Sequence, residues 1–315
     1  MHLIGVYRGL SNPKFSQDNK TSSTSNTTIS EVYTQVQLSD GAKLNVCLLG
    51  AENKSKPLII SLHGAPGLSS HTGIKEDFKF LSDRFRVLVY DLRGSGDSEV
   101  KGPFTDEQWV SDLEELRAWM GDEKFILAGG SYGGFLALNY ALNYPNRLRA
   151  LILRNTWACG PQGTHRALAN ILLSDRINPD PMRQVRLWTG NVQSREDAEQ
   201  GMAEIVHIYT PESNPEPELF EGASTELRWE VHNAAFSWSQ PRFDVRSRLV
   251  EIKVPTLVIV GRLDIICPVE ESEMIQRYIS GSELVIFEKS AHNPATDEPE
   301  KFRGVLSKFL ERLVW

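Results

Sequence analysis

Ser131 stands inside a glycine-rich segment whose neighbours suggest a chemical reason for its position. The pentapeptide Gly129-Gly130-Ser131-Tyr132-Gly133 matches G-x-S-x-G, a pattern in which a strand turns sharply into a helix and presents a serine hydroxyl. Residues 124–130 have the pattern of an apolar strand and residues 131–145 that of a helix, so both flanks fit. The alternative is an ordinary glycine-rich turn. We interpret the segment as a strained turn that presents a nucleophile.

A serine hydroxyl is a weak nucleophile at neutral pH, so it needs a base and an acid that orients the base. On this kind of turn the order along the chain is Ser, then Asp or Glu, then His. Asp264 follows the apolar run TLVIVGRL, and His292 lies in the loop after the last apolar run. Asp244 and Glu251 are less well placed relative to a strand end. The sequence therefore predicts Ser131, Asp264 and His292 as a catalytic triad for acyl transfer.

Acyl transfer also needs N–H donors for the negative oxygen of the intermediate. The backbone N–H of Tyr132 directly follows the nucleophile and is the first candidate. The loop His63-Gly64-Ala65-Pro66-Gly67 follows the third strand, and within it Ala65 has an N–H whereas Pro66 has none. We expect Ala65 to be the second donor. The other loop residues, His63, Gly64, Pro66 and Gly67, are expected to fix the shape of the loop. His63 could also act as a base, but we favour a hydrogen-bonding role within the loop.

The elements that must position these residues follow from the hydrophobic pattern. Two alternating runs meet at Asp40-Gly41, which favours a hairpin turn. Continuous apolar runs then alternate with helical patterns, which is typical of parallel strands joined by crossover helices. Thr105 and Gln108 are placed for a capping box, and Gly121 for a helix end. Strands are predicted within 31–38, 43–49, 57–64, 85–94, 124–130, 148–155, 254–264 and 283–292, and helices within 105–121, 131–145, 269–280 and 298–314.

The chain is expected to fold as α/β, with a mostly parallel central sheet flanked by helices and an inserted helical cap. The segment 157–240 is helical, polar and broken by prolines, with loops at 178–182 and 210–220. Insertions of this kind lie over the carboxyl ends of the strands, where ligands bind. Residues 11–30 are rich in Ser, Thr and Asn and have little to bury. The predicted parts are a flexible N-terminal extension (1–30), the α/β core (31–156 and 241–315) and the cap (157–240).

Composition excludes several other classes of function. The net charge is −7, which argues against a nucleic-acid-binding surface. No apolar run approaches the 18 residues of a membrane span, and the apolar stretch within residues 1–10 is too short for the secretory signal of an exported protein, so none is expected. Three cysteines without a CxxC pattern favour reduced thiols, so we expect a cytoplasmic protein. No phosphate-binding loop or metal-ligand spacing is present, so neither cofactor nor metal is expected, and the sequence does not indicate an oligomeric state.

Five segments carry a resemblance to a known family: HGAPG (63–67), DLRGSGDS (91–98), GGSYGG (129–134), GRLDIICP (261–268) and SAH (290–292). Together they resemble the α/β-hydrolase superfamily and, more narrowly, the proline iminopeptidases. The resemblance extends over residues 31–315 and implies the α/β-hydrolase fold and a serine hydrolase. Two residues depart from the family pattern, since Ala65 replaces a glycine and Tyr132 replaces a frequent tryptophan.

The resemblance implies release of N-terminal proline, or another small residue, from short peptides. Members of the family use cap glutamates to bind the substrate ammonium, which needs carboxylate partners when it is buried. Glu226 and Glu230 are four residues apart and fit this role, while Trp229, Phe236 and Trp238 could wall a pocket for the proline ring. Alternatively, these are solvated or packing residues. An esterase, lactonase or amidase acting on a small metabolite, or a non-catalytic binding protein on the same fold, remain alternatives.

Overall fold

An eight-stranded β-sheet forms the centre of the molecule. In the computed structural model, which describes residues 30–213 and 227–313, the strand order is β1-β2-β4-β3-β5-β6-β7-β8. The pairs β1–β2 and β2–β4 are antiparallel, and all the other pairs are parallel. The predicted mostly parallel sheet is therefore confirmed. The strands are β1 (Glu31–Gln37), β2 (Lys43–Leu49), β3 (Leu58–Leu62), β4 (Arg86–Tyr90), β5 (Phe125–Gly130), β6 (Leu148–Arg154), β7 (Thr256–Gly261) and β8 (Glu283–Phe287).

Ten α-helices are present among the described residues. Six belong to the segments on either side of the predicted cap: α1 (His71–Phe78), α2 (Asp106–Met120), α3 (Tyr132–Asn143), α8 (Val269–Tyr278), α9 (Pro294–Asp297) and α10 (Pro299–Glu311). The other four fall inside it: α4 (Gly160–Leu173), α5 (Pro181–Thr189), α6 (Arg195–Ile205) and α7 (Trp229–Ala234). A π-helical turn, Ala235–Ser239, continues α7. None of the helices in the described ranges is long and apolar enough to cross a bilayer.

The two faces of the sheet bury separate apolar clusters. Along β3, for example, Leu58, Ile60 and Leu62 join one cluster, and Ile59 joins the other. Alternate residues of a strand point to opposite faces, so a continuous apolar run is the expected sequence of a strand covered on both sides. Helices α2 and α3 contribute to the first cluster, and α1 and α10 to the second. This packing fixes the carboxyl ends of the parallel strands, from which the candidate site residues emerge.

Several local predictions need correction. Thr105 Oγ1 accepts the N–H of Gln108 at 3.3 Å, but the Gln108 side chain donates to Asp112 at 2.8 Å, so only half of the capping box forms. The loop predicted at 178–182 is shorter, because Asp180 caps the helix that begins at Pro181. The last predicted helix is preceded by α9, and α10 begins at Pro299. The predicted extension lies outside the described residues except for residue 30, as do 214–226 and 314–315.

The helices inside the predicted cap contact loops at the carboxyl edge of the sheet. Asn170 on α4 donates to the Ile265 carbonyl oxygen at 2.8 Å, and Arg166 pairs with the buried Glu271 at 2.9 Å. The Arg228 N–H, just before α7, donates to the Gly67 carbonyl oxygen at 2.8 Å. These contacts show which parts of the predicted core the helices of residues 157–240 meet, and the division into core and cap stays a prediction.

Candidate active site

Ser131 joins β5 to α3 in a backbone conformation that L-residues rarely adopt. Its φ is 54° and its ψ is −125°, and such strain persists only where the surroundings hold it. The Ser131 N–H donates to the carbonyl oxygens of Arg154 and Asn155 at 3.0 and 3.1 Å. Its own carbonyl oxygen accepts from Thr156 Oγ1 at 2.8 Å and from the Gly134 N–H at 2.9 Å. These four bonds hold the turn from both sides.

The glycines around Ser131 are required by close backbone approach. A Cβ on Gly129 would lie 2.2 Å from the Gly133 carbonyl oxygen, and a Cβ on Gly133 would lie 2.5 Å from that of His63. Both contacts are with backbone, so neither can be relieved by moving a side chain. The turn therefore has room for a side chain at position 131 but not at these two neighbours, as the G-x-S-x-G pattern requires.

The structure brings Asp264 and His292 together. The loop after β7 carries Asp264 and the loop after β8 carries His292, and His292 Nδ1 donates to Asp264 Oδ2 at 2.8 Å. Since the carboxylate accepts only, the neutral imidazole holds its proton on Nδ1 and leaves Nε2 as an acceptor. Burial alone would raise the pKa of Asp264, but the charge of His292 and hydrogen bonds from His292, Asn155 and the Cys267 amide lower it below its ordinary value.

In the part of the chain that the structure describes, Ser131 Oγ and His292 are not joined by a hydrogen bond. Catalytic hydrogen bonds of this kind are often long in the free enzyme and shorten when substrate binds. Asp244 and Glu251, the alternative acids, are instead paired with nearby arginines, Arg246 and Arg248, near the surface. Their positions leave Asp264 as the acid beside His292.

Asn155 is a site residue that the sequence analysis missed. It follows β6 with a φ of 46°, and its Nδ2 donates to Asp264 Oδ2 at 2.6 Å and to the Ala291 carbonyl oxygen at 3.2 Å. Its carbonyl oxygen accepts the Ser131 N–H. One residue thus connects the backbone of the candidate nucleophile with the carboxylate of the candidate acid. The available signal was an asparagine, a residue type that tolerates positive φ, at the end of a predicted parallel strand.

Tyr209, inside the predicted cap, is a second residue that sequence reasoning missed. Its carbonyl oxygen accepts the His292 N–H at 3.1 Å, and its ring meets the imidazole edge-on with centroids 5.0 Å apart. Nothing in the local sequence signals this contact. The backbone and ring of His292 are therefore held partly by the segment that follows α6.

The loop 63–67 lies beside Ser131. A Cβ on Gly64 would lie 3.5 Å from Ser131 Cβ and 3.8 Å from Oγ. Ala65 is half-buried, and its N–H donates to no other group within the described part of the chain. Tyr132 is the first residue of α3, where N–H groups have no partner inside the helix and the helix dipole favours an anion. Both proposed donors are therefore on backbone next to Ser131.

The rest of this loop is held by hydrogen bonds. His63 Nδ1 donates to the Gly64 carbonyl oxygen at 3.1 Å, and Nε2 accepts the Leu92 N–H at 3.0 Å. Burial lowers the pKa of His63 to about 4. With both nitrogens engaged, His63 suits the loop-shaping role and not that of a base. Pro66 is buried, and Gly67 has a φ of 75° and would bring a Cβ within 2.3 Å of the Arg228 carbonyl oxygen.

The cap residues predicted to bind substrate have different surroundings. Glu230 is exposed in the first turn of α7, Trp229 is partly buried against the core, and Glu226 lies outside the described residues. Trp238 is 55% exposed, and the Arg242 guanidinium lies 3.7 Å from its ring centroid. The expectation that Trp238 walls a pocket is therefore wrong, because the ring faces solvent and a cation. Phe236 is buried, with its ring centroid 5.6 Å from that of Tyr132.

Asp264, Cys267 and His292 each offer a potential metal ligand atom, and these atoms lie within 4.8 Å of one another. The oxygens of Asp264 already accept hydrogen bonds from Asn155, His292 and the N–H groups of Ile266 and Cys267. Burial raises the pKa of the Cys267 thiol well above its ordinary value, which disfavours the thiolate that binds metals. This arrangement suits the orientation of a histidine better than the binding of a metal ion.

Comparison with known proteins agrees with this geometry. A family described as the alpha/beta hydrolase fold matches residues 57–299. Proline iminopeptidase PfmaB of Pestalotiopsis fici is 34% identical over 279 residues, covering 87% of this chain and 98% of that protein. A proline iminopeptidase of Saccharolobus solfataricus is 30% identical over 267 residues, covering 81% and 85%. The structure of a thermophilic esterase from Thermogutta terrifontis has a TM-score of 0.68 and 28% identity, covering 90% and 98%.

Proposed function

Because the chain belongs to the α/β-hydrolase fold family and is similar to proline iminopeptidases over most of its length, we propose that it releases N-terminal proline from short peptides by covalent serine catalysis. The observation that carries the chemistry is the Asp264–His292 hydrogen bond of 2.8 Å beside the strained Ser131 turn. The substrate class is supported by the curated relatives, several of which are named proline iminopeptidases.

In the first half of the proposed reaction, Ser131 Oγ attacks the scissile carbonyl carbon while His292 Nε2 takes the hydroxyl proton. Asp264 keeps the Nδ1 proton in place and stabilises the imidazolium that forms. The negative oxygen of the tetrahedral intermediate accepts the N–H groups of Ala65 and Tyr132. When the C–N bond breaks, His292 donates its proton to the leaving amine, and the prolyl group remains esterified to Ser131.

In the second half, water replaces the amine. His292 Nε2 takes a proton from the water, the hydroxide oxygen attacks the prolyl ester, and the imidazolium then returns its proton to Ser131 Oγ. Free proline leaves and the enzyme is regenerated. Both halves of the reaction use His292 as the base and the same N–H donors. Both also form or break a bond to Ser131 Oγ, so loss of Ser131 stops both.

The substrate class is tested with three substrates. We expect turnover of proline p-nitroanilide, little turnover of N-acetylproline p-nitroanilide, and no activity in Ser131→Ala. Hydrolysis of p-nitrophenyl acetate without cleavage of either anilide would contradict the peptidase proposal and favour an esterase, the alternative that the 28% identical esterase supports. Absence of a fluorophosphonate adduct on the wild-type protein would contradict serine catalysis altogether.

Recognition of the substrate ammonium is a separate step. Glu226→Gln and Glu230→Gln are each expected to raise KM for proline p-nitroanilide by roughly tenfold, about 1.4 kcal/mol, because a neutral amide cannot balance the cation. The KM for p-nitrophenyl acetate, the ester substrate, should not change. Glu300→Gln, an exposed glutamate on α10, is the matched control. Equal effects on both substrates, or none on either, would remove these glutamates from the ammonium site.

A further inference from the structure

A buried carboxylate without a cationic partner holds the side chain of Tyr132. Tyr132 Oη donates to Asp106 Oδ1 at 2.7 Å, and Asn139 Nδ2 donates to Asp106 Oδ2 at 3.3 Å. Tyr132 is 1% exposed and Asp106 is 6% exposed. No Lys, Arg or His forms an ion pair with Asp106 within the described part of the chain. Asp106 begins α2, whereas Tyr132 and Asn139 both belong to α3.

This arrangement is unfavourable for an ionised carboxylate, so it calls for an explanation other than packing. Burial raises the pKa of Asp106 to about 7. A well-packed apolar residue would avoid the desolvation that this carboxylate suffers. The arrangement therefore costs stability relative to an apolar residue at this position.

The position of Tyr132 matters for the proposed reaction. Its N–H is a proposed oxyanion donor, and its backbone continues from the strained Ser131. Its ring is surrounded by the rings of Trp109, Phe135 and Phe236, at centroid distances of 6.1, 4.9 and 5.6 Å. The hydrogen bond to Asp106 fixes the far end of the ring, and the packing fixes its plane. Both the ring and the hydroxyl of Tyr132 are therefore held.

The same carboxylate residue also contacts the predicted cap. The Asp106 N–H donates to Ser239 Oγ at 3.1 Å, and Phe236 packs against the Tyr132 ring. Both Ser239 and Phe236 lie in the π-helical turn that continues α7, and single π-helical turns often occur at functional sites. The π-helical turn is therefore connected to the Tyr132 side chain in two ways, directly through Phe236 and indirectly through Ser239 and Asp106.

We propose that Asp106 is a positioning residue that acts through Tyr132: it holds the Tyr132 side chain so that the backbone N–H points at the oxyanion, and Ser239 ties this assembly to the cap. The proposal rests on the proposed serine hydrolysis, in which that N–H stabilises the tetrahedral intermediate. A small displacement of a preorganised donor reduces the rate without weakening ground-state binding.

The chain provides a matched control at the same interface between α2 and α3. Tyr140 Oη donates to Glu114 Oε2 at 2.6 Å, again from α3 to α2, and Tyr140 is also fully buried. Tyr132→Phe and Tyr140→Phe therefore remove the same kind of bond between the same two helices. Only the first removes the anchor of a proposed oxyanion donor. Both variants are expected to lose similar stability against urea.

The measurements are kcat, KM and the affinity for a boronic acid, which forms a tetrahedral adduct with Ser131. We expect Tyr132→Phe to lower kcat by roughly tenfold or more, with KM within twofold, and to weaken boronate binding by the same factor. Tyr140→Phe should change none of these. Asp106→Asn keeps an acceptor for Tyr132 Oη, so its kcat should lie above that of Asp106→Ala.

Three outcomes would overturn the inference. The first is an unchanged kcat in Tyr132→Phe, and the second is an equal loss of kcat in Tyr140→Phe. The third is a loss of kcat that boronate affinity does not follow. Failure of the proposed function is distinguishable, because then the wild-type protein itself hydrolyses neither anilide nor ester and gives no adduct at Ser131.

Discussion

Ser131 should be a position where glycine is more favourable than alanine. At φ 54° and ψ −125° an L-residue is strained by about 1–3 kcal/mol, whereas glycine adopts this conformation freely. Glycine also gains freedom in the unfolded chain, which costs about 0.4–1 kcal/mol of stability relative to alanine. Both Ser131→Gly and Ser131→Ala lose the nucleophile, so neither retains activity and the comparison measures the backbone alone.

Ser174 is the matched control, because it lies at φ −70° and ψ 130°, where alanine is unstrained. There alanine should be more stable than glycine by about 0.4–1 kcal/mol. The glycine-minus-alanine difference at 131, less the same difference at 174, isolates the strain and should be about 1–3 kcal/mol. Urea unfolding with equal slopes for all four variants measures it. A double difference near zero would refute the conclusion that the turn is strained.

Three further predictions concern stability and reactivity elsewhere in the chain. Gly304→Ala, at an exposed α10 position where a Cβ meets nothing within 4 Å, should raise stability by about 0.5–1 kcal/mol without changing activity; a lower denaturation midpoint would contradict this. Burial lowers the pKa of His232 to about 4, below its usual 6.5, so the contribution of the neutral imidazole to the free energy of unfolding is present above pH 6.5 and is lost as pH falls towards 4. The difference in unfolding free energy between wild type and His232→Asn should shrink by about 3 kcal/mol over that window. A difference that stays constant with pH would refute this. Cys267 is 1% exposed with a raised thiol pKa, so iodoacetamide should label it only after unfolding, and rapid native labelling would show that its loop opens.

The sequence was sufficient for the strands and for Ser131, Asp264 and His292 at three of the strand ends, but not for Asn155 after β6. Apolar runs of strand length locate β3 to β7. The G-x-S-x-G pattern locates the turn at Ser131, because backbone contacts there leave no room for a Cβ on its glycines. Asp264 and His292 follow from their order after the nucleophile. Contacts made across the fold could not be predicted in this way. Tyr209 reaches His292 from a distant segment, and the exposure of Glu230 depends on how α7 is rotated, which no local pattern specifies.

Several unfavourable local features of the described residues meet around one turn. Ser131 and Asn155 are the two non-glycine residues with positive φ in the described ranges, and the N–H of the first donates to the carbonyl of the second. Asp106, a buried carboxylate without a cation, holds the residue next to Ser131. Sequences normally agree with their fold at every level, and exceptions cluster where function requires them. Backbone strain and a buried carboxyl group without a cation thus meet at the turn that the G-x-S-x-G motif identifies.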